Sequence, residues 1–171
     1  GLLFAYQFVW QFPHFWAIAW MAYDDYARAG YYLLPNRKKD AQATRLIIFY
    51  TVWMILISLL PALGFAGQIE LSTWAAAVTL LLGFDVLYHA LRHWSRREDA
   101  SARALMFSTI RYLPLVQTIW VIDSFTSKNM ELTPQQKAAR PLLYIGLASI
   151  AMSFAGLTSG YVVARSALSA K

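Results

Sequence analysis

The chain contains no cysteine. That excludes disulfides, thiolate metal ligands and a cysteine nucleophile, and it leaves the redox character of the compartment open. Charge is scarce as well. Only 14% of the 171 residues are Asp, Glu, Lys or Arg, where soluble domains carry about a quarter. With 58% hydrophobic residues and a mean hydropathy of +0.42, a water-borne fold would have too little polar surface to cover its core. No internal repeat and no low-complexity segment is present. The net charge of +6 is modest and follows the loops, so nucleic acid is not implied as a partner. The chain also opens on Gly1, directly in apolar sequence, with no basic n-region and no small-residue cleavage site. The expectation is part of a longer protein and not a signal peptide.

What the sequence has instead is a series of long apolar runs. Crossing a bilayer core takes about 20 such residues per helix. Five segments qualify on this reading, at residues 1–22, 46–67, 72–94, 104–122 and 141–164. The expected fold class is therefore all-α, a multi-pass protein of the lipid bilayer with about five transmembrane helices. Loop charges orient it. The first loop holds Arg28, Arg37, Lys38, Lys39 and Arg45, and the third holds Arg96, Arg97 and Arg103. The second loop holds only Glu70. The positive-inside rule places residues 23–45 and 95–103 in the cytoplasm. The fourth loop, with Lys128, Lys137 and Arg140, dissents and is outvoted. Its run LTPQQKAAR reads as a short interfacial helix capped at Thr133 with Pro134 in the first turn. After residue 123 the style changes to Ala, Gly and Ser, and Gly156 and Gly160 form a GxxxG pair suited to helix packing.

The chemistry concentrates in WQFPHFWAIAWMAYDDYARAGYYLLP, residues 10–35. Polar and ionisable groups at membrane depth are costly, which makes them functional hypotheses. Gln7, Gln11, His14, Ile18, Met21 and Asp25 recur at steps of three and four and share one helical face. Pro13 removes a backbone hydrogen bond and predicts a kink beside Gln11 and His14. Such a stripe suits a polar ligand head with an apolar tail, or equally a bundle-interior face joined by side-chain hydrogen bonds. Asp24 and Asp25 are followed by Arg28. Mg²⁺ commonly joins one or two carboxylates to substrate phosphates, and arginine adds bidentate phosphate contacts. The alternative is an ordinary solvated helix end. Further along, Asp85, His89 and Arg92 share a face, and His89 with His93 have metal-compatible spacing. A neutralising pair of Asp85 inside the bundle, with His89 or with Arg111, is favoured over a metal site.

Two stretches carry a family resemblance. WQFPHFWAIAW followed by DDYARAGYYLLP resembles the protohaem IX farnesyltransferase (haem O synthase) family of the UbiA-type intramembrane prenyltransferase superfamily. ARALMFSTIRYLPL, residues 102–115, resembles the last-helix region of the same enzymes. The resemblance covers residues 1–123 and leaves 124–171 as an extra loop and helix of unassigned role. It implies the C-terminal part of a bundle of about nine helices around a central cavity. It implies transfer of a farnesyl group from farnesyl diphosphate to a vinyl group of haem b, giving haem O. It further implies Mg²⁺ with Asp24 and Asp25, diphosphate near Arg28, and Trp10, Gln11 and His14 on the helix leading in. Trp10, Phe15, Trp16 and Tyr26 are the aromatic candidates for shielding an allylic cation. The implied partners are farnesyl diphosphate, haem b and the bilayer, with haem A synthase or oxidase assembly factors beyond them, in a bacterial inner membrane. The family's first acid-rich motif has no match in this chain, so the chain by itself is expected to be inactive. Two other functions fit the residues: a non-catalytic haem-binding subunit using His14 or His89 and His93, and a prenyltransferase for a quinone or chlorophyll-type acceptor.

Overall fold

A computed structural model describes residues 1–65 and 70–126. Within them every regular element is helical. Helix α1 spans Leu2–Met21, the short α2 spans Tyr23–Arg28, α3 spans Ala41–Leu59, α4 spans Thr73–Arg96 and α5 spans Asp99–Thr126. A 3-10 turn, Leu60–Leu63, extends α3. Each long helix packs against two others: α1 against α3 and α5, and α4 against the same pair. The result is a closed four-helix bundle. Its two ends are fixed by particular contacts. At one end Trp20 near the close of α1 meets His93 near the close of α4, with ring centroids 4.6 Å apart. At the same end Lys39, just before α3, reaches Asp99 at the start of α5 at 2.9 Å. At the other end Asp123 accepts hydrogen bonds from the Ser72 backbone N–H, at 2.9 Å, and from its hydroxyl.

The buried stripes explain the closeness of this packing. On α1 the interior positions are Tyr6, Trp10, Pro13, Ala17 and Trp20, a repeat of four and three. Ala43, Ala75, Ala90 and Ala102 are fully buried, and small residues let helix backbones approach. Gly83 is the tightest point. A Cβ there would stand 2.8 Å from Ile55 Cγ1, so α3 and α4 meet where only hydrogen fits.

Local chemistry sets the boundaries. Asp40 caps α3, its carboxylate accepting the Ala43 N–H at 2.8 Å. This starts the helix at Ala41, five residues before the apolar run expected at residue 46. Gly64, with φ of +74°, closes the 3-10 turn in the left-handed region where glycine is at ease. Arg97, with φ of +52°, makes the tight reversal between α4 and α5. Helix α5 begins at Asp99, not near 104, because its polar first turn belongs to the helix. It runs on to Thr126, past the change of style at 123. Helix α1 is continuous through Pro13.

Among the described residues three helices are long and apolar enough to cross a membrane: Ala41–Leu63, Thr73–Arg96 and Asp99–Thr126. Helix α1 forms where expected but is not among them, since Gln7, Gln11 and His14 dilute its apolar character. It is nevertheless joined to α5 and α4 from Tyr6 to Trp20. The chain is an integral multi-pass membrane protein. The anticipated helix at 141–164, its GxxxG pair and the LTPQQKAAR segment lie outside the described residues.

Candidate functional site

Two levels of the bundle hold the residues singled out by sequence. The deeper level joins α1 to α5. Trp10 donates its indole N–H to the Thr109 carbonyl at 2.8 Å. His14 Nδ1 lies 3.0 Å from Thr109 Oγ1. The Trp10 and His14 rings stack at 4.6 Å, 15° from parallel. One residue of α5 thus holds both rings, and both are buried. Below this level Tyr112 donates to Ser58 at 2.9 Å and Tyr6 packs on Trp120 at 5.4 Å.

This geometry corrects the expected polar stripe. The inward face of α1 is the row Tyr6–Trp10–Pro13–Ala17–Trp20. Of the stripe through Gln7, Gln11, His14 and Ile18, only His14 is buried, and Gln11 is exposed. The physical reason is bulk: large aromatics and small alanines interdigitate better than amides, and they take the interior. Register with Asp25 is also lost, because α1 ends at Met21 and a non-helical Ala22 intervenes before α2.

The second level is the basic end. Asp24 and Asp25 occupy the first turn of α2, where carboxylates are favoured by the helix dipole. Both are exposed, and Asp25 Oδ1 pairs with Arg28 at 2.5 Å. Tyr26 is half-buried beside them. The loop after α2 is tied down by Tyr23, whose hydroxyl donates to the Arg37 carbonyl at 2.7 Å. Lys39 lies 5.9 Å from the Trp20 ring centre and 5.8 Å from that of Tyr23 while pairing with Asp99. Ser101 stands 2.8 Å from His93 Nδ1. Arg28, Arg37, Lys38, Lys39, Arg45, Arg92, Arg96, Arg97 and Arg103 all belong to this end, giving it a positive field.

The structure therefore brings Trp10 and His14 together on Thr109 of α5, and Asp24, Asp25, Tyr26 and Arg28 together in α2. No cluster of three or more His, Asp or Glu suited to a metal ion occurs among the described residues. Two exposed carboxylates do fit the habit of Mg²⁺, which takes one or two and completes its shell with water and phosphate oxygens. Asp85 has the partners expected, Arg111 at 3.1 Å and His89 at 3.7 Å, but the pair lies on the exposed flank of the bundle and not inside it. Sequence reasoning missed Thr109, Ser101 and Lys39. The hydroxyls at 101, 108 and 109, followed by Tyr112, fall on one face of α5, and that spacing was the available signal.

The UbiA prenyltransferase family matches residues 1–111. Relatives named protoheme IX farnesyltransferase include those of Flavobacterium johnsoniae, 46% identical over 125 residues, and Christiangramia forsetii, 42% identical over 125 residues. Each alignment covers 73% of this chain and 42% of the relative. That of Solibacter usitatus is 41% identical over 124 residues, 71% of this chain and 41% of the relative. The chain thus spans about two-fifths of the length of these relatives. No solved structure matches it. A match that extends from α1 past the acidic turn of α2 to the middle of α5 makes this chain a member of the UbiA prenyltransferase family.

Proposed function

We propose that this chain carries part of the site of a protohaem IX farnesyltransferase. The reaction breaks the carbon–oxygen bond of farnesyl diphosphate and joins the farnesyl carbon to a vinyl group of haem b. Water adds to the other vinyl carbon, a proton leaves, and haem O and diphosphate result. The observation that carries the reading is the α2 turn: two exposed carboxylates and Arg28 at the positively charged end, joined directly to the helix that buries His14.

Each residue has a task that its chemistry permits. Asp24 and Asp25 would hold Mg²⁺, whose charge neutralises the departing diphosphate. Arg28, now on Asp25, has further N–H donors for phosphate oxygens. The basic residues around it add to the field that favours a polyanion. Aromatic faces suit an allylic cation and its isoprenoid tail. Phe8, Phe12, Trp16 and Tyr50 form a continuous strip outside α1, with successive centroids 5.3, 5.4 and 5.3 Å apart. Tyr26 is placed near the carboxylates, and Phe15 lies edge-on to His14 at 5.6 Å. His14 and Gln11 are the haem-side candidates, one inside the bundle and one on its surface. The basic end faces the cytoplasm of a bacterial cell, where a soluble diphosphate ester would be supplied.

The test is haem O formation by the full-length protein carrying Asp25→Ala. We expect turnover to fall at least a hundredfold at limiting Mg²⁺, with partial recovery at high Mg²⁺. Undiminished turnover at limiting Mg²⁺ would remove Asp25 from the metal. Competing quinone and haem acceptors in the same assay identify the substrate class by product.

A further inference from the structure

The loop that follows the acidic turn turns large apolar side chains away from the bundle. Tyr31, Tyr32 and Leu33 are consecutive and 65%, 47% and 50% exposed. The chain on either side of them is tied. Helix α2 closes with Tyr31 N–H donating to the Tyr26 carbonyl at 2.9 Å and Gly30 N–H to the Ala27 carbonyl at 3.0 Å, with Gly30 at φ of +81°. Beyond the triplet the Arg37 N–H donates to the Leu34 carbonyl at 2.9 Å, closing a turn with Pro35 at its second position. Tyr23 holds the Arg37 carbonyl. Between these ties Leu34 turns inward and is buried with Ala19, Trp20, Ala43 and Ala102.

Leu34 fixes the height of the loop. It packs on Ala43, which stands three residues, about 4.5 Å of helix axis, before the apolar run of α3 opens at Leu46. The headgroup layer on each face of a bilayer is about 5–7 Å thick. Leu33 is one Cα step of about 3.8 Å from Leu34, so the triplet occupies or borders that layer. Tyrosine suits it, with an apolar ring and a wet hydroxyl. Charge agrees. Arg37 and Lys38 are exposed, and neither forms an ion pair among the described residues. Of the acids nearby, Asp25 is paired with Arg28 and Asp40 caps α3, which leaves two bases to one acid, Asp24.

We propose that Tyr31, Tyr32 and Leu33, backed by Arg37 and Lys38, form an interfacial anchor that seats this loop among the anionic lipid headgroups of the cytoplasmic leaflet. An anionic surface attracts bases beside the membrane, and the apolar side chains add contact that salt does not screen. Tyr31 and Gly30 also supply the C-terminal cap of α2, so the anchor sets the height of Asp24 and Asp25 at the membrane surface. The docking does not depend on the farnesyl-transfer reading; its consequence for catalysis does.

The experiment places the fluorophore NBD on Leu33→Cys in the full-length protein, any other cysteine being replaced, in bilayers of phosphatidylcholine and phosphatidylglycerol. Nitroxide quenchers are carried shallow or deep on the acyl chain of either lipid. We expect the shallow nitroxide to quench strongly and the deep one weakly, with phosphatidylglycerol quenching more than phosphatidylcholine at equal content. Arg37→Gln and Lys38→Gln should each reduce that preference about fivefold. Tyr31→Ser with Tyr32→Ser should weaken quenching by both lipids. All of these side chains are exposed, so the substitutions leave the core intact. Quenching by aqueous iodide and not by lipid would overturn the proposal by placing the triplet in water. Shielding from both would overturn it by placing other protein there. A deep nitroxide quenching more than a shallow one would overturn the headgroup height. Equal quenching from the two lipids would overturn the choice of anionic lipid.

Discussion

Arg111 and Asp85 are the residues whose cost is plainest. Arg111 stands twelve residues into α5, about 18 Å along its axis, and Asp85 is as deep in α4. Both therefore lie near the middle of a hydrocarbon core about 30 Å thick. Their side chains are 61% and 44% exposed on the flank of the bundle. A lone charge at that depth costs about 2.5–3.5 kcal/mol on insertion scales, which is why the two are found together. We expect Arg111→Met to destabilise the bundle by about 2 kcal/mol, since Asp85 then keeps only the more distant His89. Arg111→Met with Asp85→Leu should recover most of the loss. Reversible unfolding in bicelles measures both, and a double variant no better than the single would exclude the pair as the reason. This pair was legible in sequence because opposite charges in apolar runs have few other solutions. The partner of His14 was not, because a threonine hydroxyl has no charge or pattern to announce it.

At the scale of elements, the helices were legible and their ends were not. Apolar runs located α3, α4 and α5, but Asp40 and Asp99 extended two of them into polar sequence. Asp40 gives a direct test. The Ala43 N–H in particular, with Asn36 and Arg45 adding, holds its carboxyl below the usual carboxylate range. A folded-state value lower than the unfolded one means stability that is full above the ordinary carboxylate range and lost as pH falls through the lowered value. Asp40→Ala should cost about 1 kcal/mol at pH 7. That gap should close as pH drops below about 4, whereas the gap between Asp40→Asn and Asp40→Ala should stay flat. Thermal unfolding across pH reads the difference, and a wild-type gap indifferent to acid would rule out the cap. On α1 a polar periodicity was visible but the inward face lies about one position away, through Trp10 and Trp20. Spacing defines a face. Which face turns inward depends on what the neighbouring helices offer, and here they offer Ala43, Ala102 and Thr109.

For the whole molecule the charge distribution is the strongest statement. The Lys and Arg of the described residues lie at one end, with Arg111 alone at mid-depth, while Glu70 and Asp123 mark the other. The absence of cysteine makes this simple to test with single-cysteine variants. Lys38→Cys should react with an impermeant maleimide only from the cytoplasmic side, and Glu70→Cys only from the opposite side. Labelling of both from one side would reverse or abolish the assigned topology.

The sequence by itself determined that the chain is helical and lives in a bilayer, because scarcity of charge and runs of apolar length admit no other solvent. It also determined the location of the acidic doublet, since Asp24 and Asp25 stand next to each other whatever the fold does. Only the tertiary structure decided that His14 turns inward with Trp10 while Gln11 stays outside, and that Thr109 holds both rings. Those choices come from packing and from hydrogen bonds between residues about a hundred positions apart, which no local pattern encodes.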